Sequence, residues 1–202
     1  QQVDHVFANM NLDEVKSGLL YEFSLPLFDL VSIPKEEGIN SIQWRGLYTS
    51  IMSAQVNENL RLLHLNSVKK RADSYREDGL IPVGIFDYEL QRLKQDSSIQ
   101  NLVVYQNGQL FDVSGNNNTP YETIRATAAC PLQMTSSEGS VSYIFAKNLF
   151  FSAQELPDVL EVDFVDGSGF REVSWDTPVQ VHYPEKGLKD LTFRLFMREI
   201  LR

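Results

Sequence analysis

The feature that most constrains the fold is a period-two alternation of apolar and polar residues, which runs through most of the chain from residue 121 onward. In VLEVDF, for example, Val162 and Phe164 fall on one face, and Glu161 and Asp163 fall on the other. Successive side chains of a β-strand point to opposite faces, so the pattern is typical of half-buried strands. Short strands of this kind with turns between them predict an antiparallel β-sandwich. The residues expected to face inward in the other strands are Val141, Tyr143, Phe145, Val179, Val181, Tyr183, Leu191, Phe193 and Leu195.

Earlier in the chain the apolar residues recur with a helical period instead. Residues 41–56 are predicted to form a helix that Ser41 caps, and residues 66–78 a second helix that Asn66 caps and Gly79 ends. Spacings of three and four residues place the apolar side chains of each helix on one face, which is normally a core face. These side chains are Trp44, Leu47, Tyr48, Ile51 and Met52 in the first helix, and Val68, Ala72 and Tyr75 in the second.

Between the helices and residue 121 the sequence predicts strands. Residues 81–90 have the composition of a strand, and residues 91–95 are predicted to continue as a short helix. Residues 101–113 contain Asn107-Gly108 between two β-rich runs. This is a strong hairpin signal, because a type I′ turn needs positive φ at both of its central residues.

A polar loop at 114–120, SGNNNTP, is the best candidate for a domain boundary. The chain is therefore predicted to comprise a mixed α+β domain over 1–118 and an all-β sandwich over 119–202.

Charge and cysteine content restrict the possible partners and compartments. The net charge is −9, and the longest basic run is Lys69-Lys70-Arg71, so nucleic acid and anionic membranes are poor partners. The single cysteine, Cys130, rules out an intramolecular disulfide and is expected to be a small buried residue. No apolar run is long enough to span a bilayer. The chain starts at Gln1 without a methionine, and we expect that a signal peptide has been removed.

An acidic, glycine-rich stretch, EVDFVDGSGFREV, interrupts the alternation at 161–173. Alternation stops at Val165 and resumes near Phe170, so residues 166–169 are predicted to be a hairpin tip. The weaker alternative is a calcium site held by Asp163 and Asp166, but the glycine spacing differs from that of an EF-hand loop.

The stretch VDFVDGSGF, together with VHYPEKGLKDLTFRL at 181–195, resembles the PKD-like and immunoglobulin-like modules of bacterial exported multidomain proteins. The resemblance covers about residues 121–202, with Val162 in place of a common tryptophan and Val165 in place of the usual glycine. The matching residues are Asp163, Phe164, Asp166, Gly167, His182, Tyr183, Gly187, Thr192 and Leu195. The first 120 residues are similar to N-terminal regions of large surface or secreted proteins of the Bacteroidetes group.

The resemblance implies a β-sandwich that acts outside the cytoplasm as a spacer, adhesion or accessory binding module. The extracellular, cell-surface or periplasmic space is the expected location. His182 would then be packed or bonded within a turn. Contacts to a protein or a glycan would depend on exposed aromatic residues, and Trp175, before the turn-like Asp176-Thr177-Pro178, is the candidate. The alternative for Trp175 is a place at the rim of the sandwich core.

A hydrolase with a carboxylate pair in a cleft between the two parts is the second hypothesis. Asp29, Asp87 and Glu89 lie near apolar segments and are its candidate acids, although caps and strand ends also use such residues. The chain has no G-x-S-x-G, H-E-x-x-H, G-x-x-x-x-G-K-[ST], G-x-G-x-x-G or C-x-x-C motif. Three scattered histidines give no zinc-ligand pattern. No cofactor is therefore expected.

Overall fold

A computed structural model of the 202-residue chain describes residues 5–13, 15, 39–54, 62–94, 97–113, 119–133, 136 and 139–196. The described helices are α1 (Ser41–Ala54) and α2 (Leu65–Glu77). None of the described helices is long and apolar enough to cross a membrane. The described strands are β1 (Leu80–Leu93), β2 (Val103–Gln106), β3 (Gln109–Asp112), β4 (Tyr121–Pro131), β5 (Ser140–Ile144), β6 (Phe150–Ser152), β7 (Val159–Asp163), β8 (Phe170–Val173), β9 (Val179–His182) and β10 (Thr192–Phe196). Short 3-10 turns occupy Ser97–Asn101 and Lys147–Leu149.

Both predicted helices are confirmed, but other residues cap them. The side chain of Asn40 accepts hydrogen bonds from the backbone N–H groups of Ile42 and Gln43, and Gln43 Oε1 accepts one from the N–H of Asn40. This reciprocal pair is a capping box, and it leaves Ser41 as the first helical residue. At the second helix His64 is the cap, because its Nδ1 accepts a bond from the N–H of Asn66. The assignments of Ser41 and Asn66 as caps were therefore wrong.

The strands form a five-stranded sheet, a three-stranded sheet and a hairpin. The first sheet has the order β4-β1-β5-β9, and β6 also pairs with β1. The second has the order β10-β7-β8, and β2 pairs with β3. An α+β N-terminal part followed by a β-rich part is confirmed. The predicted antiparallel arrangement is incomplete, because β5 and β6 both run parallel to β1.

The long strand β1 is buried on both faces. Its residues Ile81, Val83 and Ile85 pack with β5, β7, β8 and β9 in a core between the two sheets, which we call the sandwich core. Phe86 and Leu90 have the opposite parity and pack with Trp44 and other helix residues in the helical-face core. The sequence of a strand that is buried on both faces is apolar at nearly every position, and for this reason residues 81–90 show little alternation.

The ladder between β1 and β4 overrides one local prediction. Residues 91–95 were expected to turn helical, but β1 continues to Leu93, with Leu90 opposite Ile124 and Leu93 opposite Tyr121. Each residue of this stretch up to Leu93 has a partner in β4. The stabilisation from pairing with β4 outweighs the local helix propensity. Strand β1 lies before residue 118 and pairs with β4, β5 and β6, which lie after it. The domain division at 118/119 stays a prediction.

The predicted inward faces of the sandwich strands are confirmed. Val141, Tyr143, Phe145, Val162, Phe164 and Val181 are buried in the sandwich core, and Val179, Tyr183, Leu191, Phe193 and Leu195 are partly buried against it. The hairpin is also confirmed, with φ of 52° at Asn107 and 82° at Gly108. Gly79 ends α2 with φ of 76°.

Candidate functional site

The carboxylate of Asp87, in the middle of β1, accepts three side-chain hydrogen bonds. Its side chain is buried, and it faces the side of β1 that carries Ile85. Arg125 lies on β4 opposite Glu89, and Thr127 lies opposite Asp87 itself. Arg125 donates two hydrogen bonds to the carboxylate, from Nε to Oδ1 at 2.9 Å and from Nη2 to Oδ2 at 2.8 Å. The Thr127 hydroxyl donates a third bond at 2.5 Å.

These bonds set the charge of Asp87. Burial on its own would raise the pKa of the carboxyl, but the hydrogen bonds from Arg125 and Thr127 outweigh it and hold the pKa below its ordinary value. The same ion pair raises the pKa of Arg125. Asp87 is therefore ionised at neutral pH and has no proton to donate. A general acid in a glycosidase needs the opposite shift.

Of the other candidate acids of the hydrolase hypothesis, Glu89 lies two residues after Asp87 in β1 and therefore on the same side of the strand. Glu89 is exposed and acts electrostatically on Arg125, where its charge contributes to the raised pKa. Asp29 lies outside the described residues. The chemical role that this geometry supports for Asp87 is to fix β4 on β1 through a charged bidentate contact.

The acidic corner at 163–169 is a turn, as predicted. Strand β7 ends at Asp163 and β8 starts at Phe170. The Asp163 carboxylate accepts the N–H of Val165 at 2.8 Å, and the Asp166 carboxylate accepts the N–H of Ser168 at 3.0 Å. Asp and Asn stabilise turns in this way.

The ionised form of Asp166 is also stabilised by neighbouring groups. Its Oδ2 lies 2.9 Å from Nη2 of Arg171, whose guanidinium stacks 4.7 Å from the centre of the Phe164 ring. Burial would raise the pKa of Asp166, but the Ser168 bond and the Arg171 charge together lower it. No group of three or more potential metal ligands occurs among the described residues. The calcium alternative at Asp163 and Asp166 stays a prediction.

Trp175, the predicted binding residue, lies between β8 and β9. Its ring is half-buried and contacts the ring of Phe150, with 5.4 Å between ring centres and an interplanar angle of 66°. The next residue, Asp176, has φ of 58°, and its carboxylate accepts the N–H of Lys147 at 2.9 Å. The turn therefore holds Trp175 at the rim of the sandwich core with part of its ring in solvent. Binding through Trp175 stays a prediction.

The histidines and the cysteine of the described chain serve local structure. His182 is exposed, and its Nδ1 lies 2.9 Å from the hydroxyl of Ser140 on the neighbouring strand. His64 caps α2, and His5 lies beside Gln109. Cys130 is buried, as predicted, and burial raises the pKa of its thiol to about 12. A thiol with this pKa is almost entirely protonated at neutral pH and is a poor nucleophile.

Sequence reasoning missed two exposed aromatic residues, Phe196 with 48% of its surface exposed and the more exposed Tyr105. Tyr105, two residues before the Asn107-Gly108 turn, has 69% of its surface exposed, and its neighbour Val104 has 47%. Tyr105 pairs with Leu110, whose side chain packs on a small cluster of Met10, Val15 and Tyr121. The signal was available, because a tyrosine so close to the tip of a two-residue hairpin extends beyond the core that its strand covers.

Comparison of the chain with family models, with curated proteins and with solved structures gives no match in any of the three.

Proposed function

We propose that the chain is a non-catalytic accessory module of an exported bacterial protein, with an immunoglobulin-like or PKD-like sandwich that supports a protein- or glycan-binding surface. The observation that carries this proposal is the state of Asp87. The buried candidate acid Asp87 is ionised and is held by three hydrogen bonds from Arg125 and Thr127. Such a group stabilises a fold and has neither the proton nor the freedom that acid catalysis requires.

The binding surface is assigned to aromatic side chains that the fold holds in place and leaves in solvent. Tyr105 lies on a short hairpin with a fixed turn, and Trp175 is held between Phe150 and the Asp176 turn. Tyrosine and tryptophan offer a large apolar face with a polar edge, and they lose little rotamer entropy on binding. Both properties suit contacts to proteins and to sugar rings.

The test is binding to a panel of immobilised glycans and a panel of extracellular proteins, measured by biolayer interferometry. Saturable binding is expected with at least one panel member, and Tyr105→Ala or Trp175→Ala should weaken it by about tenfold or more. Ile42→Ala is the matched control, because Ile42 is an exposed apolar side chain on α1 with 55% of its surface in solvent. Binding that neither aromatic substitution weakens would contradict the assignment of the surface. An absence of any binding would leave only the spacer role.

The alternative proposal is a hydrolase, or an accessory part of a larger hydrolase, that uses a carboxylate pair between the two parts of the chain. Its remaining candidates are Asp29 and Glu89. Release of reducing sugar from any glycan of the panel, abolished by Asp29→Asn or Glu89→Gln, would favour this alternative over the binding module. The same substitutions should leave binding unchanged if the main proposal is right.

A further inference from the structure

The turn of the β2–β3 hairpin has several properties that favour a reaction within the backbone. Asn107 is exposed, and the residue after it is glycine. A Cβ built on Gly108 would meet nothing within 4 Å, so the space around this peptide unit is open. Both residues have positive φ, and neither is covered by a core cluster.

We propose that Asn107 is a site of spontaneous deamidation and isomerisation in the folded protein. The backbone nitrogen of Gly108 attacks Cγ of the Asn107 side chain, a C–N bond forms, and the bond from Cγ to Nδ2 breaks. Ammonia leaves with the proton that the Gly108 amide gives up, and a five-membered succinimide remains. Water then opens the ring at one of its two carbonyls, and residue 107 becomes aspartate or isoaspartate. Water is the sole co-reactant, and no oxidation or reduction takes place.

The neighbouring side chain decides which asparagines can react in this way. Gly108 has no side chain, so nothing shields its nitrogen from the amide that approaches it. Asn101 and Asn148 are followed by Leu102 and Leu149, whose side chains are buried and fix the adjacent peptide unit. These two asparagines are internal controls within the same molecule.

Isomerisation would alter the hairpin and the segment bound to it. An isoaspartate inserts one additional methylene into the main chain of a two-residue turn, which disturbs the pairing of Gln106 with Gln109. The side chain of Gln109 donates a bond to the carbonyl of His5 at 3.2 Å. Strand β3 also forms a parallel bridge from Phe111 to Asn9. We therefore expect residues 5–13 to loosen when the turn isomerises.

The experiment incubates the folded protein in mildly alkaline buffer made with heavy-oxygen water and maps peptides by mass spectrometry over time. Heavy oxygen should enter residue 107 at least about tenfold faster than residues 101 and 148, as expected if glycine at the next position governs access. Isoaspartyl methyltransferase should label the same peptide. Asn107→Gly keeps a favourable turn and cannot react, so its peptide should remain unlabelled.

Two results would overturn the proposal. The first is incorporation at residue 107 no faster than at residues 101 and 148. The second is conversion of Asn107 in urea-unfolded protein together with none in the folded protein, which would mean that the turn protects it.

Hydrogen exchange then tests the consequence: residues 5–13 should exchange faster in aged wild type than in aged Asn107→Gly. Freshly purified Asn107→Asp, measured before it can isomerise itself, separates the effect of charge from that of the lengthened backbone. The proposal does not rest on the proposed binding function, and either can fail alone.

Discussion

Gly84 lies in β1 against the indole of Trp44 from α1, and replacing it with alanine tests how tightly the helix packs on the sheet. A Cβ at this position would be 2.8 Å from Cζ2 of Trp44 and 3.0 Å from Cδ2 of Leu132, whereas ordinary contacts begin at 3.4 Å. The indole has little room to withdraw. It is fully buried and stacks on Tyr48 at 5.2 Å between ring centres, with Phe86 at 5.6 Å.

The expected cost follows from two opposing effects. Gly84 lies in a strand without positive φ, so alanine restricts the unfolded chain and would by itself stabilise the protein by about 0.4–1 kcal/mol. Overpacking a tight core costs about 1–3 kcal/mol, and a contact with the rigid indole belongs to the upper part of that range. We therefore expect Gly84→Ala to lower the free energy of unfolding by about 1–2 kcal/mol.

Urea unfolding followed by far-UV circular dichroism measures this change. Gly139→Ala is the matched control, because Gly139 also lacks positive φ and its added Cβ would be 3.4 Å from the nearest atom, the Tyr183 carbonyl oxygen. That variant should stay within about 0.5 kcal/mol of wild type. In a Trp44→Phe background the Gly84→Ala penalty should shrink, since the smaller ring leaves room for the methyl group. A Gly84→Ala protein as stable as wild type, with the control also unchanged, would refute the close packing.

Four further outcomes are expected. Asp87→Asn should lower the free energy of unfolding by about 1–3 kcal/mol at neutral pH. In acid, the free energy of unfolding of this variant should depend less on pH than that of wild type. A folded pKa below that of an unfolded aspartate contributes stability above about pH 4, and this is lost as the pH falls through the folded pKa. Arg125→Met should cost at least as much, since it leaves the Asp87 charge buried without its partner. Cys130 should react with a thiol reagent only after unfolding, as judged by absorbance. A chelator should leave the melting temperature unchanged if Asp163 and Asp166 only form a turn, whereas a lower melting temperature would reveal a bound ion.

Features governed by local chemistry could be predicted from the sequence. The Asn107-Gly108 turn follows from the need for positive φ, and the bend after Asp163 follows from the break in the alternation. The inward positions in β7 and β10 follow from the two-residue period of a strand. In each case the deciding interaction lies within a few residues along the chain.

Features governed by long-range pairing could not be predicted. Arg125 and Asp87 are 38 residues apart, and their contact depends on the register of β4 against β1. Apolar–polar alternation indicates which side chains face a core, but it does not indicate the direction of the neighbouring strand. The parallel pairing of β5 and β6 with β1 therefore left no local signal.

Strand β1 explains why the two kinds of structure in this chain are closely linked. Its odd-numbered residues, such as Val83, contribute to the sandwich core, and even-numbered residues, such as Phe86, contribute to the helical-face core. Strand β1 also pairs with β4 on one edge and with β5 and β6 on the other. Displacing it would therefore expose two apolar faces to water and break the backbone hydrogen bonds on both of its edges. Its hydrogen bonds and apolar contacts thus make the helices and the sandwich depend on each other for stability. A surface carried on such a unit would be held in a fixed orientation, which a spacer or binding module requires.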